Sequence, residues 1–170
     1  NRLSRLTDEE KKRGVVAYSS GNHAQGVALS AKLLDIEAVI VMPTDSPKMK
    51  LQNTKDYGAE VITYDRQTES REEIAEQISR DKGCIVVPSF EDYYIIAGQG
   101  TVGFEAVKQA EEKDIKFDLF MTPVGGGGLI SGCSLAVKEL SPFTEIYGVE
   151  PDGFNDVQRS LESGKIESNE

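Results

Sequence analysis

From Val15 onward, short apolar runs of strand length alternate with segments of helix length, and that alternation admits few folds. "VVAYS", "EAVIVMP", "EVITYD", "CIVVP", "FDLFMTPV" and "EIYGVEP" read as strands. Between them lie "HAQGVALSAKLL", "SPKMKLQNTKDYG", "TESREEIAEQISRDKG", "GQGTVGFEAVKQAEEK" and "LISGCSLAVKEL", with apolar residues at three- and four-residue spacing. Strands that alternate with helices form a parallel sheet with helices on its faces, because each crossover must return the chain to the same end of the sheet. The expected class is therefore α/β with a parallel sheet. Local signals set the expected boundaries: Pro43 stops the second strand, and Gly58 and Gly83 stop helices. Ser46 is expected as an N-cap with Pro47 at the first helical position. Two lobes are expected, residues 14–91 forming one and residues 1–13 with 92–170 forming part of the other. "SFEDYYIIAG" is the candidate crossing.

Composition removes several function classes. The chain has 170 residues and a formal net charge of −10, which disfavours nucleic acid and anionic membrane as partners. No apolar run reaches the roughly 20 residues that cross a bilayer. Cys84 and Cys133 form no CxxC pattern, and their neighbours "GCIVV" and "SGCSLAV" resemble core, which suits two reduced thiols in the cytoplasm. "NRLSRLTDEEKKRG" reads as the tail of a helix stopped by Gly14, and "LESGKIESNE" as a polar stretch that closes nothing, so both ends read as cut from something longer.

Ligands of parallel α/β sheets gather in loops after the carboxyl ends of strands, and two loops in that position carry unusual residues. "SSGNH", residues 19–23, presents two hydroxyls, an amide, the chain's single imidazole and the N–H groups of a helix start, a set suited to a carboxylate. The plainer reading is an N-cap turn built on Ser20 and Asn22. "GGGG", residues 125–128, again lies between a strand and a helix. Four bare N–H groups can converge on one anion while the helix dipole adds positive potential, and a phosphate fits that description. A flexible turn explains one or two glycines well and four in a row poorly.

Three motifs in order, "SSGNHAQGVALSAKLLDIEAVIVMP", "IIAGQGTVGFE" and "PVGGGGLISG", resemble the threonine/serine dehydratase and serine racemase branch of the β-family pyridoxal-phosphate enzymes. The resemblance runs over essentially the whole chain. It implies a two-lobed, three-layer α/β fold of type II (tryptophan synthase β-like), incomplete at both ends, with pyridoxal 5′-phosphate between the lobes and a homodimeric assembly. It implies that Gly125, Gly126, Gly127 and Gly128, with the backbone of Leu129, hold the cofactor phosphate, and that Asn22 hydrogen-bonds the pyridine 3-hydroxyl. Ser19, Ser20, Asn22 and His23 would surround the carboxylate of a small amino-acid substrate. Phe90 stands at a cofactor-side position that is often aromatic in dehydratases. "PSFEDYYIIAG" departs from the family run by lacking a second proline and the proline at Tyr93, so a differently shaped junction is expected there.

The implied activity is deamination of L-threonine or L-serine to a 2-oxo acid and ammonia. The alternative is serine racemisation, with Ser20 as the catalytic acid/base opposite the lysine. The family's Schiff-base lysine would align just before Asn1, and the residue facing the pyridine nitrogen is also missing, so the alternative of another class is a catalytically inactive fragment. In "GVEPDGFND", Glu150 and Asp156 flank a turn containing Pro151 and Gly153, which can bring two carboxylates and the Phe154 carbonyl to one Mg²⁺ or Ca²⁺. The same spacing resembles the metal site of serine racemases; the plainer reading is an acidic surface turn with Asp152 and Asn155 as turn residues.

Overall fold

The computed structural model describes residues 1–169, and these form two compact units, divided between Ser89 and Phe90. The break falls inside the candidate crossing. Residues 1–13 belong to the first unit, where Leu3 and Leu6 are buried.

In the first unit, β1 (Val15–Tyr18), β2 (Ala38–Pro43), β3 (Glu60–Tyr64) and β4 (Ile85–Val86) form one sheet in the order β3-β2-β1-β4. Every pairing is parallel, with Val15 opposite Ala38 and Val39 opposite Glu60. The helices are α1 (Asp8–Arg13), α2 (Asn22–Leu33), α3 (Lys48–Asp56) and α4 (Arg71–Lys82). Strands β1 and β2 are covered on both faces, which is why they read as unbroken apolar runs. Val16, Val39, Val41 and Tyr64 cluster with Ala75 of α4, and Ile74 and Ile78 pack against them. The alternate residues Val15, Ala17, Ile40 and Met42 are no more than 1% exposed and face the opposite side, where α2 contacts both strands. Each of the fully buried valine, isoleucine and methionine side chains contributes about 1.5–3 kcal/mol. The expected helix–sheet–helix layering is present here.

In the second unit, β5 (Leu119–Pro123) and β6 (Glu145–Val149) pair in parallel, and α5 (Tyr93–Glu111) lies against α6 (Gly128–Leu140). The inner face of the two-stranded sheet carries Phe120, Thr122 and Ile146, while Leu119, Met121, Tyr147 and Val149 are exposed on the other. A final helix, α7 (Asp156–Ser163), follows.

Four local expectations need correction. The amino-terminal segment is not the tail of a helix: α1 starts afresh in a capping box, with Thr7 accepting from the Glu10 N–H and Glu10 returning to the Thr7 N–H. The α3 helix begins at Lys48, because Pro47 has ψ 128° and is extended, which leaves the Ser46 hydroxyl buried without a partner among the described residues. The α5 helix starts at Tyr93, earlier than its glycine pattern suggested, since the Asp92 carboxylate accepts from the N–H groups of Tyr94 and Ile95. "DVQRSLES", whose last three residues open the stretch read as polar, is helical, with Val157 and Leu161 one turn apart and Gly164 in the left-handed conformation as its stop.

Candidate active site

The first loop is made where β1 ends and α2 begins. The Ser19 N–H continues the sheet by donating to Val41 O at 3.1 Å, and the Ser19 hydroxyl then accepts from the Gly21 N–H at 3.1 Å. The first backbone bond of α2 runs from the Gln25 N–H to Gly21 O, and glycine at the N-cap offers no side chain. The N–H groups of Asn22, His23 and Ala24 therefore have no backbone acceptor among the described residues, at the positive end of a twelve-residue helix. Ser20 and Asn22 are exposed beside them. The structure thus brings Ser19, Ser20, Asn22 and His23 together at one anion-accepting corner.

His23 contributes differently from its neighbours. Its Nε2 lies 3.1 Å from Val87 O, just beyond β4, so Nε2 carries the proton and donates to that carbonyl. In the neutral ring Nδ1 is then an acceptor, and it repels an anion. Burial pushes the imidazole's pKa down, against the smaller opposing effect of the Val87 bond, which favours the neutral ring. What His23 offers a carboxylate is its backbone N–H, while the ring braces the loop against β4.

The second loop lies entirely in the second unit. Gly127 is the N-cap of α6 with φ 83°, a left-handed conformation that L side chains rarely adopt. The first helical bond runs from the Ser131 N–H to Gly127 O, so the N–H groups of Gly128, Leu129 and Ile130 have no backbone acceptor among the described residues. A Cβ on Gly125 would meet nothing within 4 Å, whereas one on Gly126 would overlap the ring of Phe90. Phe90 is thereby placed against the loop by the absence of a side chain. At the end of β5, the Thr122 hydroxyl is buried without a partner among the described residues. A bare turn, three free donors, a helix dipole and an open Cβ position make a cradle into which a phosphate fits.

A model of the pyridoxal-phosphate-dependent enzymes matches residues 1–170. The chain belongs to that family. It is 48% identical over 166 residues to the L-threo-3-hydroxyaspartate ammonia-lyase of Saccharomyces cerevisiae, covering 98% of this chain and 50% of that protein. It is 45% identical to the serine racemase of Schizosaccharomyces pombe, covering 98% of this chain and 50% of that protein. Among solved structures it resembles the T.th. threonine deaminase, with a TM-score of 0.87 and 43% identity over 98% of this chain and 52% of that one. The chain spans about half the length of these relatives. The fold-type-II resemblance read from the three motifs is confirmed, and pyridoxal phosphate is the family's cofactor.

At the end of β6, both oxygens of Glu150 accept backbone N–H groups at the start of α7, from Val157 at 3.0 Å and Gln158 at 2.9 Å. Asp156 opens that helix and accepts from the Asn169 amide at 2.8 Å. Phe154 sits between them in a turn whose N–H donates to Pro151 O. Glu150 is thus a helix cap, and each of its oxygens keeps a second lone pair.

Two residues near the first loop escaped the sequence reading. Arg71 holds its guanidinium 5.3 Å from the centroid of the Tyr18 ring, directly before Ser19. Lys50 reaches Gly21 from α3. Both contacts join segments distant in sequence, and only an arginine or lysine at the first turn of the following helices hinted at them. No helix among the described residues is long and apolar enough to cross a membrane.

Proposed function

We propose that the intact enzyme removes ammonia from a small β-hydroxy amino acid, L-threonine or L-serine, to give a 2-oxo acid. The observation that carries this reading is the pair of helix starts with free N–H groups, one suited to a carboxylate and one to a phosphate. Gly125 to Gly128 and the Leu129 N–H would hold the cofactor phosphate, with Phe90 against the loop. When bound, pyridoxal phosphate supplies the electron sink that makes the substrate's α-proton removable. The Asn22, His23 and Ala24 N–H groups bind the substrate carboxylate, and Asn22 also offers its amide to the cofactor's hydroxyl. His23 keeps the corner rigid through Val87, so the donors need no reorganisation when the anion arrives. Two free, buried cysteines support a reducing compartment, as in cytoplasm.

The test is product formation by the intact enzyme: L-threonine is expected to yield 2-oxobutanoate and ammonia in equal amounts, and only with the cofactor present. The similarity to a hydroxyaspartate ammonia-lyase makes L-threo-3-hydroxyaspartate the competing substrate to assay beside it. If L-threonine, L-serine and L-threo-3-hydroxyaspartate all fail to release ammonia, the lyase reading fails.

Racemisation is the second reading, favoured by the exposed hydroxyl of Ser20 in the carboxylate-binding corner, where it can exchange a proton with solvent. Ser20→Ala is expected to abolish interconversion of D- and L-serine while retaining L-threonine deamination within about tenfold. Equal loss of both would place Ser20 in substrate binding instead.

Glu150, Asp156 and the Phe154 carbonyl form the proposed site for Mg²⁺ or Ca²⁺. The cation would take the remaining lone pairs of Glu150 and fix the turn that leads into α7. At a cation concentration 100 times its Kd, stability is expected to rise by about 2.7 kcal/mol. Melting curves with cation against chelator, on the native enzyme and Asp156→Ala, check this: a shift of equal size in both, or none in either, removes the site.

A further inference from the structure

The half-buried side chain of Lys50 lies over Gly21, in the space that a side chain at position 21 would need. A Cβ there would stand 2.9 Å from Lys50 Nζ and 3.6 and 3.7 Å from its Cδ and Cε. Lys50 is the third residue of α3, and the fold fixes its place. Asn53, one turn further on, donates from Nδ2 to Gln25 Oε1 of α2 at 3.2 Å, and the buried Thr54 hydroxyl donates to Lys50 O at 2.8 Å. The Asn53–Gln25 bond ties α3 to α2, and the Thr54 bond stays within α3, with the lysine aimed at the start of α2.

Several other lysines of this chain have found a carboxylate: Lys12 with Glu9, Lys82 with Glu60 and Lys108 with Glu111. The chain carries 29 acidic residues against 19 basic ones, so acidic partners are abundant. Even so, the Lys50 ammonium has no hydrogen bond or ion pair among the described residues. It stands instead beside three free N–H groups that point to the same corner. A cation and the positive end of a helix repel each other unless an anion lies between them, so this arrangement costs stability in the ligand-free protein.

We propose that Lys50 is a recognition residue for the substrate carboxylate, supplying the full positive charge that the N–H groups of Asn22, His23 and Ala24 only approximate. This rests on the reading of the loop as the amino-acid site. It explains why position 21 is glycine: any side chain would displace the ammonium from the corner. It also assigns the discrimination between an amino acid and its uncharged amide to Lys50, because a partly desolvated charge pair loses far more than a neutral hydrogen bond when one charge is removed.

The experiment uses the cofactor-loaded intact enzyme and two unreactive ligands of equal size, L-alanine and L-alaninamide. Each is titrated while the visible absorption of the bound cofactor is followed, in the native enzyme, Lys50→Met and Lys50→Arg. The native enzyme is expected to prefer L-alanine. Lys50→Met is expected to lose about tenfold of that preference, and Lys50→Arg to retain most of it. In substrate kinetics the Met variant should raise KM with kcat little changed. Lys50→Gln replaces the Met variant if the latter does not fold. A preference for L-alanine that survives both neutral variants overturns the proposal and leaves the lyase reading intact. If neither ligand perturbs the native enzyme's spectrum, the amino-acid site itself is refuted and this inference falls with it.

Discussion

Gly127→Asp is expected to weaken pyridoxal-phosphate binding by the intact enzyme about 100-fold or more. Two effects add. Gly127 has φ 83°, and placing an L residue there costs about 1–2 kcal/mol, somewhat less for aspartate than for most. The larger effect is charge: a carboxylate about 4 Å from a phosphate at a protein surface is opposed by about 4 kcal/mol before relaxation and salt reduce it. The space beside Gly127 is open, with nothing within 4 Å of a Cβ, so the side chain does not clash and the fold survives. That separates loss of the cradle from loss of the protein. Gly126→Ala acts by another route, pushing the Phe90 ring off the loop, and a smaller loss that disappears in the Phe90→Ala background would identify that contact. Equilibrium dialysis against the cofactor measures both.

Gly132→Ala is expected to destabilise the enzyme by about 3 kcal/mol, at the upper end of overpacking costs. Helices α5 and α6 approach so closely that a Cβ at Gly132 would overlap Ile96 O and press on the Gly100 N and Gln99 carbonyl carbon. These neighbours are backbone atoms of α5, which cannot rotate away as a side chain can. The contact is reciprocal: a Cβ at Gly100 would lie 2.9 Å from Gly132 O, and one at Gly103 would lie 3.0 Å from Cys133 O. Because α6 carries the proposed phosphate cradle at its first turn, forcing the helices apart should also weaken cofactor binding. Gly26→Ala on the exposed face of α2 is the control, since its Cβ meets nothing within 4 Å, and a gain of up to about 1 kcal/mol is expected. Urea unfolding midpoints for the two variants decide it: equal midpoints would mean that the helix contact is looser than the glycines imply.

Much of this was legible in the chain itself, for identifiable reasons. The strands β1 and β2 are buried on both faces, so their sequences are continuous apolar runs that no surface element imitates. The tetraglycine was legible because four adjacent glycines are costly on folding, which marks the turn out from an ordinary loop. Elements that failed to show are those decided by a few polar contacts. Helix α7 has only Val157 and Leu161 as apolar residues in eight, and it is stabilised by Glu150, six residues before its start. The start of α1 hid in a Thr7–Glu10 pair that resembles any charged surface. The ring of His23 is turned by Val87, 64 residues away, and Lys50 meets Gly21 only because α3 packs along α2. Side-chain direction within a site depends on tertiary contacts, and sequence spacing does not contain them.

The bare turn at the start of α6 is the proposed holder of the cofactor's phosphate. The most direct measurement is the affinity of the intact enzyme for pyridoxal phosphate relative to pyridoxal, which lacks that group, in the native protein and in Gly127→Asp. A large preference for the phosphorylated form is expected in the native protein and is expected to collapse in the variant, with pyridoxal binding almost unchanged. An equal loss of both ligands, or a preference that survives the aspartate, would rule out that role for the turn.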